Sequence, residues 1–252
     1  MPTTNAISER IISDLREKGF ATYSSTQSKK TASIFSRKGS DDHSLTATPS
    51  DSNYAGIFNY YASFNDKDLY DVFFDWDLLA AIYNYAGGQL YYRNSPILED
   101  HAFNGSDKLN ENVKEWASLY HTDYHLQLNV MLLLDDVDDD CTSTIYAQGS
   151  NSRNIFLQGG KVDSPKSDQL IEAHKYPCVK LTGKKGDILI MDTGGFHKAN
   201  FIQGSRRRMV IGILNSGFPF KGYEDDLGGF IFKDGSPDFV TNSLLPHARK
   251  NG

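Results

Sequence analysis

Apolar residues change their spacing along this chain. From Ser8 to Lys18, Ile11, Ile12 and Leu15 recur at the three- and four-residue steps that place side chains on one helix face. Ser8 stands at a capping position, with Ile7 ahead of it to staple onto Ile12. Gly19 ends this helix, and Phe20-Ala21-Thr22-Tyr23 reads as a short strand. Residues 24–53 are rich in Ser, Thr, Lys and Asp, which predicts a long surface loop or a flap over a site. Helical spacing returns over 66–86 through Leu69, Val72, Phe73, Trp76, Leu79, Ala80 and Tyr83, and Gly87-Gly88 stops it. Gln89 to Arg93 reads as a strand.

From about residue 115 the period shortens to two. Leu126, Leu128, Val130, Leu132 and Leu134 alternate with their neighbours, which predicts a strand over 124–134, closed by the acidic run Asp135 to Asp140. Further strands are predicted at 143–147, 176–182, 187–192 and 207–215. Gly183 and Gly186 bracket a tight Lys-Lys turn, and His174 falls in a charged loop. Helices first and strands later, without βαβ alternation, predict a mainly β fold. The expected architecture is a single domain, 1–252. A double-stranded β-helix (jelly roll) core would cover 115–220, with the helical N-terminal part, 1–90, packed outside it.

Composition narrows the function. Apolar residues make up 39% of the chain and charged residues 23%, enough for a sizeable core. The net charge of -6 argues against a nucleic-acid partner, because Arg206, Arg207 and Arg208 form a local cluster and not a basic stripe. Two cysteines, Cys141 and Cys178, do not make a disulfide framework. No apolar run approaches the roughly 18 residues of a membrane span. The N-terminus lacks a basic stretch followed by an apolar one. These features predict a cytoplasmic protein acting on a small molecule, and leave its oligomeric state open.

The chemistry lies in His121-Thr122-Asp123 and the later His197. Residues two apart on a strand point the same way, so His121 and Asp123 aim at one point on a barrel rim. The turn Asp192-Thr193-Gly194-Gly195 then delivers His197 to the same mouth. Two imidazoles and a carboxylate suit Fe(II) with an open coordination face, whereas structural zinc sites are closed. His125 shares the face of His121 and Asp123 as a possible fourth ligand, substrate contact or core histidine. A guanidinium inside a barrel needs a carboxylate partner, and a dicarboxylate such as 2-oxoglutarate supplies one end for iron and one for arginine. Alternation admits Arg207 inward, or Arg206 and Arg208 inward, but not all three.

Taken together, Leu119 to Leu214 resembles the phytanoyl-CoA dioxygenase-like family of iron(II)/2-oxoglutarate-dependent oxygenases. The resemblance rests on His121-Thr122-Asp123, Gly149-Ser150, the run Gly186-Asp187 to Asp192, His197-Lys198-Ala199-Asn200 and the arginine cluster. It implies that His121, Asp123 and His197 bind iron. It implies that Arg207, with Arg208 as the second choice, pairs with the distal carboxylate of 2-oxoglutarate. With O2 as the further cofactor, such an enzyme hydroxylates an unactivated C–H bond and releases succinate and CO2; the small size and polar loops of this chain point to a small polar metabolite as the substrate. Asp123 argues against the related halogenases, which carry a small residue there. The chain departs from the family at Cys141-Thr142-Ser143, where Asn-Gly-Pro is usual, and at Asn151, where a histidine is usual; the resemblance puts both at the mouth of the site. Arg93, Tyr91, His125 and Gln127 are candidate substrate or co-substrate contacts. Two alternatives remain: a cupin-type isomerase or hydrolase using the same ligands without 2-oxoglutarate, and a non-catalytic jelly-roll binding module. Asp135 to Asp140 lacks the Gly and Glu spacing of an EF-hand and reads as a solvated turn.

Overall fold

Asn5, not Ser8, opens the first helix. In a computed structural model of the chain, residues 4–37, 46–47, 57–61, 66–87, 90–93, 96–102, 118–123, 127–151, 166–216, 227–233 and 236–240 are described; at 46–47, 57–61, 90–93, 101–102, 215–216, 227–233 and 236–240 this means the backbone alone. The Asn5 side chain accepts from the amides of Ile7 and Ser8, both at 3.0 Å, at the head of α1 (Ala6–Lys18). The Ser8 hydroxyl is thereby free to donate to the Asp77 carbonyl at 2.9 Å. Ile7 falls inside the helix and is 42% exposed, so it is not the residue ahead of a cap and the expected staple to Ile12 has no basis.

The polar stretch after residue 24 contains α2 (Thr26–Phe35), where a loop was expected. Ser25 and Ser28 cap each other reciprocally, and Ser28, Thr31, Ala32 and Phe35 face inward at helical spacing. Two of those four positions are satisfied by hydroxyl bonds, Thr31 donating to the Asp68 carbonyl at 3.1 Å, which is why the pattern looks polar. The expected helix over 66–86 is two, α3 (Lys67–Phe73) and α4 (Trp76–Ala86). Asp75 divides them, accepting from the amides of Asp77 at 3.0 Å and Leu78 at 3.2 Å to start α4 afresh. A further helix, α5 (Lys166–His174), lies in the region expected to hold only strands and turns, and His174, expected in a charged loop, is its exposed last residue. It shows only Leu170 and Ile171 to a small cluster around Tyr120, Ala147 and Phe196. The described residues therefore mix helix with strand, and the architecture is not clearly mainly β.

The strands are β1 (Phe20–Ser24), β2 (Thr46–Ala47), β3 (Ile57–Tyr61), β4 (Leu90–Arg93), β5 (Ile97–Ala102), β6 (Gln127–Leu133), β7 (Ser143–Ala147), β8 (Cys178–Leu181), β9 (Asp187–Asp192), β10 (His197–Asn200), β11 (Arg206–Ser216), β12 (Leu227–Lys233) and β13 (Ser236–Val240). They form two antiparallel sheets. In the larger, the order β1-β9-β6-β11 continues from one half of β11 through β5, β3 and β2, and from the other half through β4, β12 and β13. The smaller has the order β10-β7-β8.

The period of two sorts the larger sheet into two faces. Leu128, Val130, Leu132, Ile188, Ile190, Val210 and Leu214 pack against the apolar stripes of α1, α2, α3 and α4. Met131, Leu133, Leu189, Met191, Met209 and Ile211 point the other way and meet Tyr146 and Leu181 of the smaller sheet. Full burial of each such side chain contributes about 1.5–3 kcal/mol. The space between the sheets is the lumen that carries the site. No helix among the described residues is long and apolar enough to cross a membrane.

Candidate metal centre

His121 and His197 meet as an isolated antiparallel pair, each amide donating to the other's carbonyl at 3.0 Å. The Asp123 amide donates to the Thr193 carbonyl at 2.8 Å, and the Thr193 amide donates to the Gln127 carbonyl at 3.0 Å. This lacing fixes the segment leading into β6 against the turn between β9 and β10. It brings the ligand atoms of His121, Asp123 and His197 within 4.8 Å of one another. His197 Nε2 lies 3.7 Å from Asp123 Oδ2, and the imidazole centroids are 4.5 Å apart.

Both imidazoles are held in the tautomer that metal binding needs. His121 Nδ1 is 2.8 Å from the Leu119 carbonyl, and His197 Nδ1 is 2.9 Å from the Gly195 carbonyl. A carbonyl only accepts, so each Nδ1 carries the proton and donates, leaving the Nε2 lone pair for a cation. Gln127 Nε2 donates to Asp123 Oδ2 and to Asn129 Oδ1, both at 3.2 Å. Gln127 thus touches the carboxylate itself. This donor set fits a hard-to-borderline divalent metal with coordination positions left open.

The three consecutive arginines are separated by strand alternation. Arg206 points outward and pairs with Asp100, Nε to Oδ1 at 2.9 Å. Arg208 shares that outward face and forks onto Asp135, at 2.9 Å from Nε and 2.6 Å from Nη2, while Nη1 donates to the Ser36 carbonyl. Arg208 as a co-substrate contact is therefore corrected: its guanidinium is committed to Asp135 on the far side of the sheet. Arg207 alone turns into the lumen, where it is 5% exposed and Nη1 donates to Thr144 Oγ1 at 3.3 Å. Burial holds its guanidinium below the usual value, and the charge of Glu99 opposes that shift. On the smaller sheet Thr144 faces Ala199, two residues along from the Tyr146–His197 pair. Thr144, which holds Arg207, and the pair that carries His197 are thus about 7 Å apart along the strand backbone.

The turn that presents His197 is braced from behind. The Tyr146 hydroxyl donates to the Asp192 carbonyl at 2.8 Å, and the Phe196 amide donates to Ser150 Oγ at 2.8 Å. A side chain at Gly195 would run into the Tyr146 ring and hydroxyl, so this close approach requires glycine. Asp192, at the end of β9, is buried on the helix-facing side. Its Oδ2 accepts from the Tyr85 hydroxyl and its Oδ1 from the Gly194 amide at 2.9 Å. Burial raises the Asp192 carboxyl above its usual value, with those two donors opposing. The Tyr85 hydroxyl is raised well above its own, by burial first and then by the Asp192 charge.

Asn151, expected at the mouth of the site, is instead buried against α1 and α4. Its Nδ2 donates to the Leu15 carbonyl at 3.0 Å and to the Tyr85 hydroxyl at 2.9 Å. Cys141 sits half-buried beside the acidic turn. His125 lies outside the described residues, as do the side chains of Tyr91 and Arg93, whose backbone is in β4. Sequence reasoning passed over Thr144, Tyr146 and the pairing of Tyr85 with Asp192. The Asp at the head of a Gly-Gly turn was visible, but nothing in the pattern connects it to a tyrosine on α4.

No protein-family model matches the chain, and no curated protein matches it in sequence. Solved structures do match in fold. The epimerase SnoN, in complex with Fe3+, alpha ketoglutarate and nogalamycin RO, aligns over 83% of this chain and 84% of its own, at 16% identity and a TM-score of 0.57. EctD from S. alaskensis, in its apoform, aligns over 84% and 79%, at 13% identity and a TM-score of 0.54. HygX from Streptomyces hygroscopicus, with nickel and 2-oxoglutarate bound, aligns over 82% and 87%, at 13% identity and a TM-score of 0.54. At these identities the likeness establishes a shared fold and leaves the chemistry to be argued from the side chains.

Proposed function

We propose that this chain is a non-haem iron(II)/2-oxoglutarate-dependent oxygenase whose two sheets form a double-stranded β-helix core. The observation that carries the reading is the convergence of His121, Asp123 and His197, each histidine with Nδ1 tied to a carbonyl, on the lumen into which Arg207 alone of three arginines points. His121, Asp123 and His197 would hold the iron. Arg207, with Thr144 beside it, would take the distal carboxylate of 2-oxoglutarate. The Thr144–Ala199 pair stands two residues along from the Tyr146–His197 pair, a placement that suits a short dicarboxylate reaching from the metal to Arg207. Iron with 2-oxoglutarate and O2 supplies oxidation of an unactivated C–H bond, with succinate and CO2 as co-products. The protein's own task is then to orient and shield. Gln127 aims the Asp123 carboxylate, the two carbonyls fix the imidazoles, and the methionines of the lumen wall exclude water.

Within this class the motifs resemble the phytanoyl-CoA dioxygenase-like enzymes, and hydroxylation of a small polar metabolite is our reading of the outcome. SnoN, described as an epimerase, marks the competing outcome on the same fold. The test is a screen of small polar metabolites with Fe(II) and 2-oxoglutarate, reading succinate, followed by mass analysis of the product. Substrate-dependent succinate with one added oxygen supports hydroxylation. Succinate with a product of unchanged mass favours epimerisation. Turnover that ignores 2-oxoglutarate supports the cupin-type alternative.

A further inference from the structure

The helix-facing side of β9 runs Ile188, Ile190, Asp192, so a carboxylate occupies a position built for an aliphatic side chain. Asp192 is 4% exposed, and burying an ionisable group there costs stability that an apolar residue would not. Its partners point to what the group does. The turn it begins, 192–197, supplies the Thr193 carbonyl to the Asp123 amide and the Gly195 carbonyl to His197 Nδ1. The Asp123 amide and the His197 ring therefore take their bearings from this turn, whereas the His121 ring is tied to the Leu119 carbonyl outside it. With Gly194 and Gly195 in succession, the turn has little stiffness of its own. Asp192 restrains it from inside by accepting from the Gly194 amide, and Tyr85 anchors Asp192 to α4. Asn151 in turn holds the Tyr85 hydroxyl and the end of α1.

We propose that Tyr85 and Asp192, steadied by Asn151, are positioning residues that hold the 192–197 turn and thereby fix the tautomer and aim of His197 for metal binding. The inference rests on the proposed metal centre, but the His197 ring can be read without a metal. Tyr85→Phe removes one hydroxyl at nearly constant volume. Asp192→Asn keeps the shape but cannot accept from both Tyr85 and the Gly194 amide. Asn151→Ala is the mildest break and serves if either of the others fails to fold.

The experiment records 15N shifts of the His197 ring in metal-free protein, then titrates Mn(II) into the same samples. In the wild type we expect a single His197 tautomer protonated at Nδ1. In Tyr85→Phe and Asp192→Asn we expect mixed tautomers at His197, an unchanged His121 ring, and roughly 10- to 100-fold weaker Mn(II) binding. Asn151→Ala should move both readouts the same way by less. Wild-type ring shifts in all three variants would overturn the inference, whatever their melting temperatures do. A wild type that binds no Mn(II) would remove the oxygenase reading, while the ring shifts would still decide for or against the positioning role.

Discussion

The two faces of β6 and β11 show how one strand period serves two purposes. Toward the helices, β6 presents Leu128, Val130 and Leu132, and β11 presents Val210 and Leu214. Toward the lumen, β6 presents Gln127, Asn129, Met131 and Leu133, and β11 presents Arg207, Met209, Ile211 and Ile213. The helix-facing side is aliphatic where it meets the helices and is selected by packing there, while at the head of β11 it carries Arg206 and Arg208, paired with Asp100 and Asp135. The lumen side grades from apolar at its middle to polar at both ends, where Gln127 meets Asp123 and Arg207 meets Thr144. On the neighbouring β9 the helix-facing side ends in Asp192, which restrains the turn that follows it through the Gly194 amide.

Asp123→Ala should have the largest effect: turnover and metal binding lost, with the metal-free melting temperature little changed. Succinate formation and a metal titration check the first part and thermal unfolding the second. Leu132→Ala breaks the opposite face and should cost about 2–5 kcal/mol in denaturant unfolding. The fraction that folds should still bind metal as the wild type does. Weakened metal affinity in that fraction would blur the division between the faces.

Arg207→Met tests the deep end of the lumen. Removing one partner of a buried charge pair costs at least about 2 kcal/mol, so the 2-oxoglutarate requirement should rise roughly 30-fold. Arg208→Met should leave that requirement alone and lower stability by about 1 kcal/mol or less, because its fork onto Asp135 is partly solvated. Exchange of these two outcomes would mean that the register of β11 is off by one residue.

Strands β7 and β9 were legible to their end residues, since short β-rich runs between glycines and polar turns leave little choice. The helices were less so. The inward face of α2 is Ser28, Thr31, Ala32 and Phe35, and hydroxyls that bond locally do not register as a core stripe. α5 turns inward only Ser167, fully buried, and the partly buried Leu170 and Ile171. The split between α3 and α4 depended on Asp75 turning from a surface residue into a cap. In the site, His121 and Asp123 are legible from their two-residue spacing and His197 from the Gly-Gly turn ahead of it, and the structure brings the three together through an isolated bridge outside the named strands. Arg207 is the first choice from its spacing to His197, but what commits Arg208 elsewhere is Asp135, which comes from a distant segment. Asn151 was expected at the mouth because the resemblance was followed past the point where this chain's own packing takes over.

Anaerobic calorimetric titration of Fe(II) into metal-free protein, with and without 2-oxoglutarate, tests the central claim most directly. The account predicts one ion per chain in the wild type, tighter binding when 2-oxoglutarate is present, loss of that tightening in Arg207→Met, and loss of the ion in His197→Ala. Binding of Fe(II) that survives His197→Ala unchanged would contradict it.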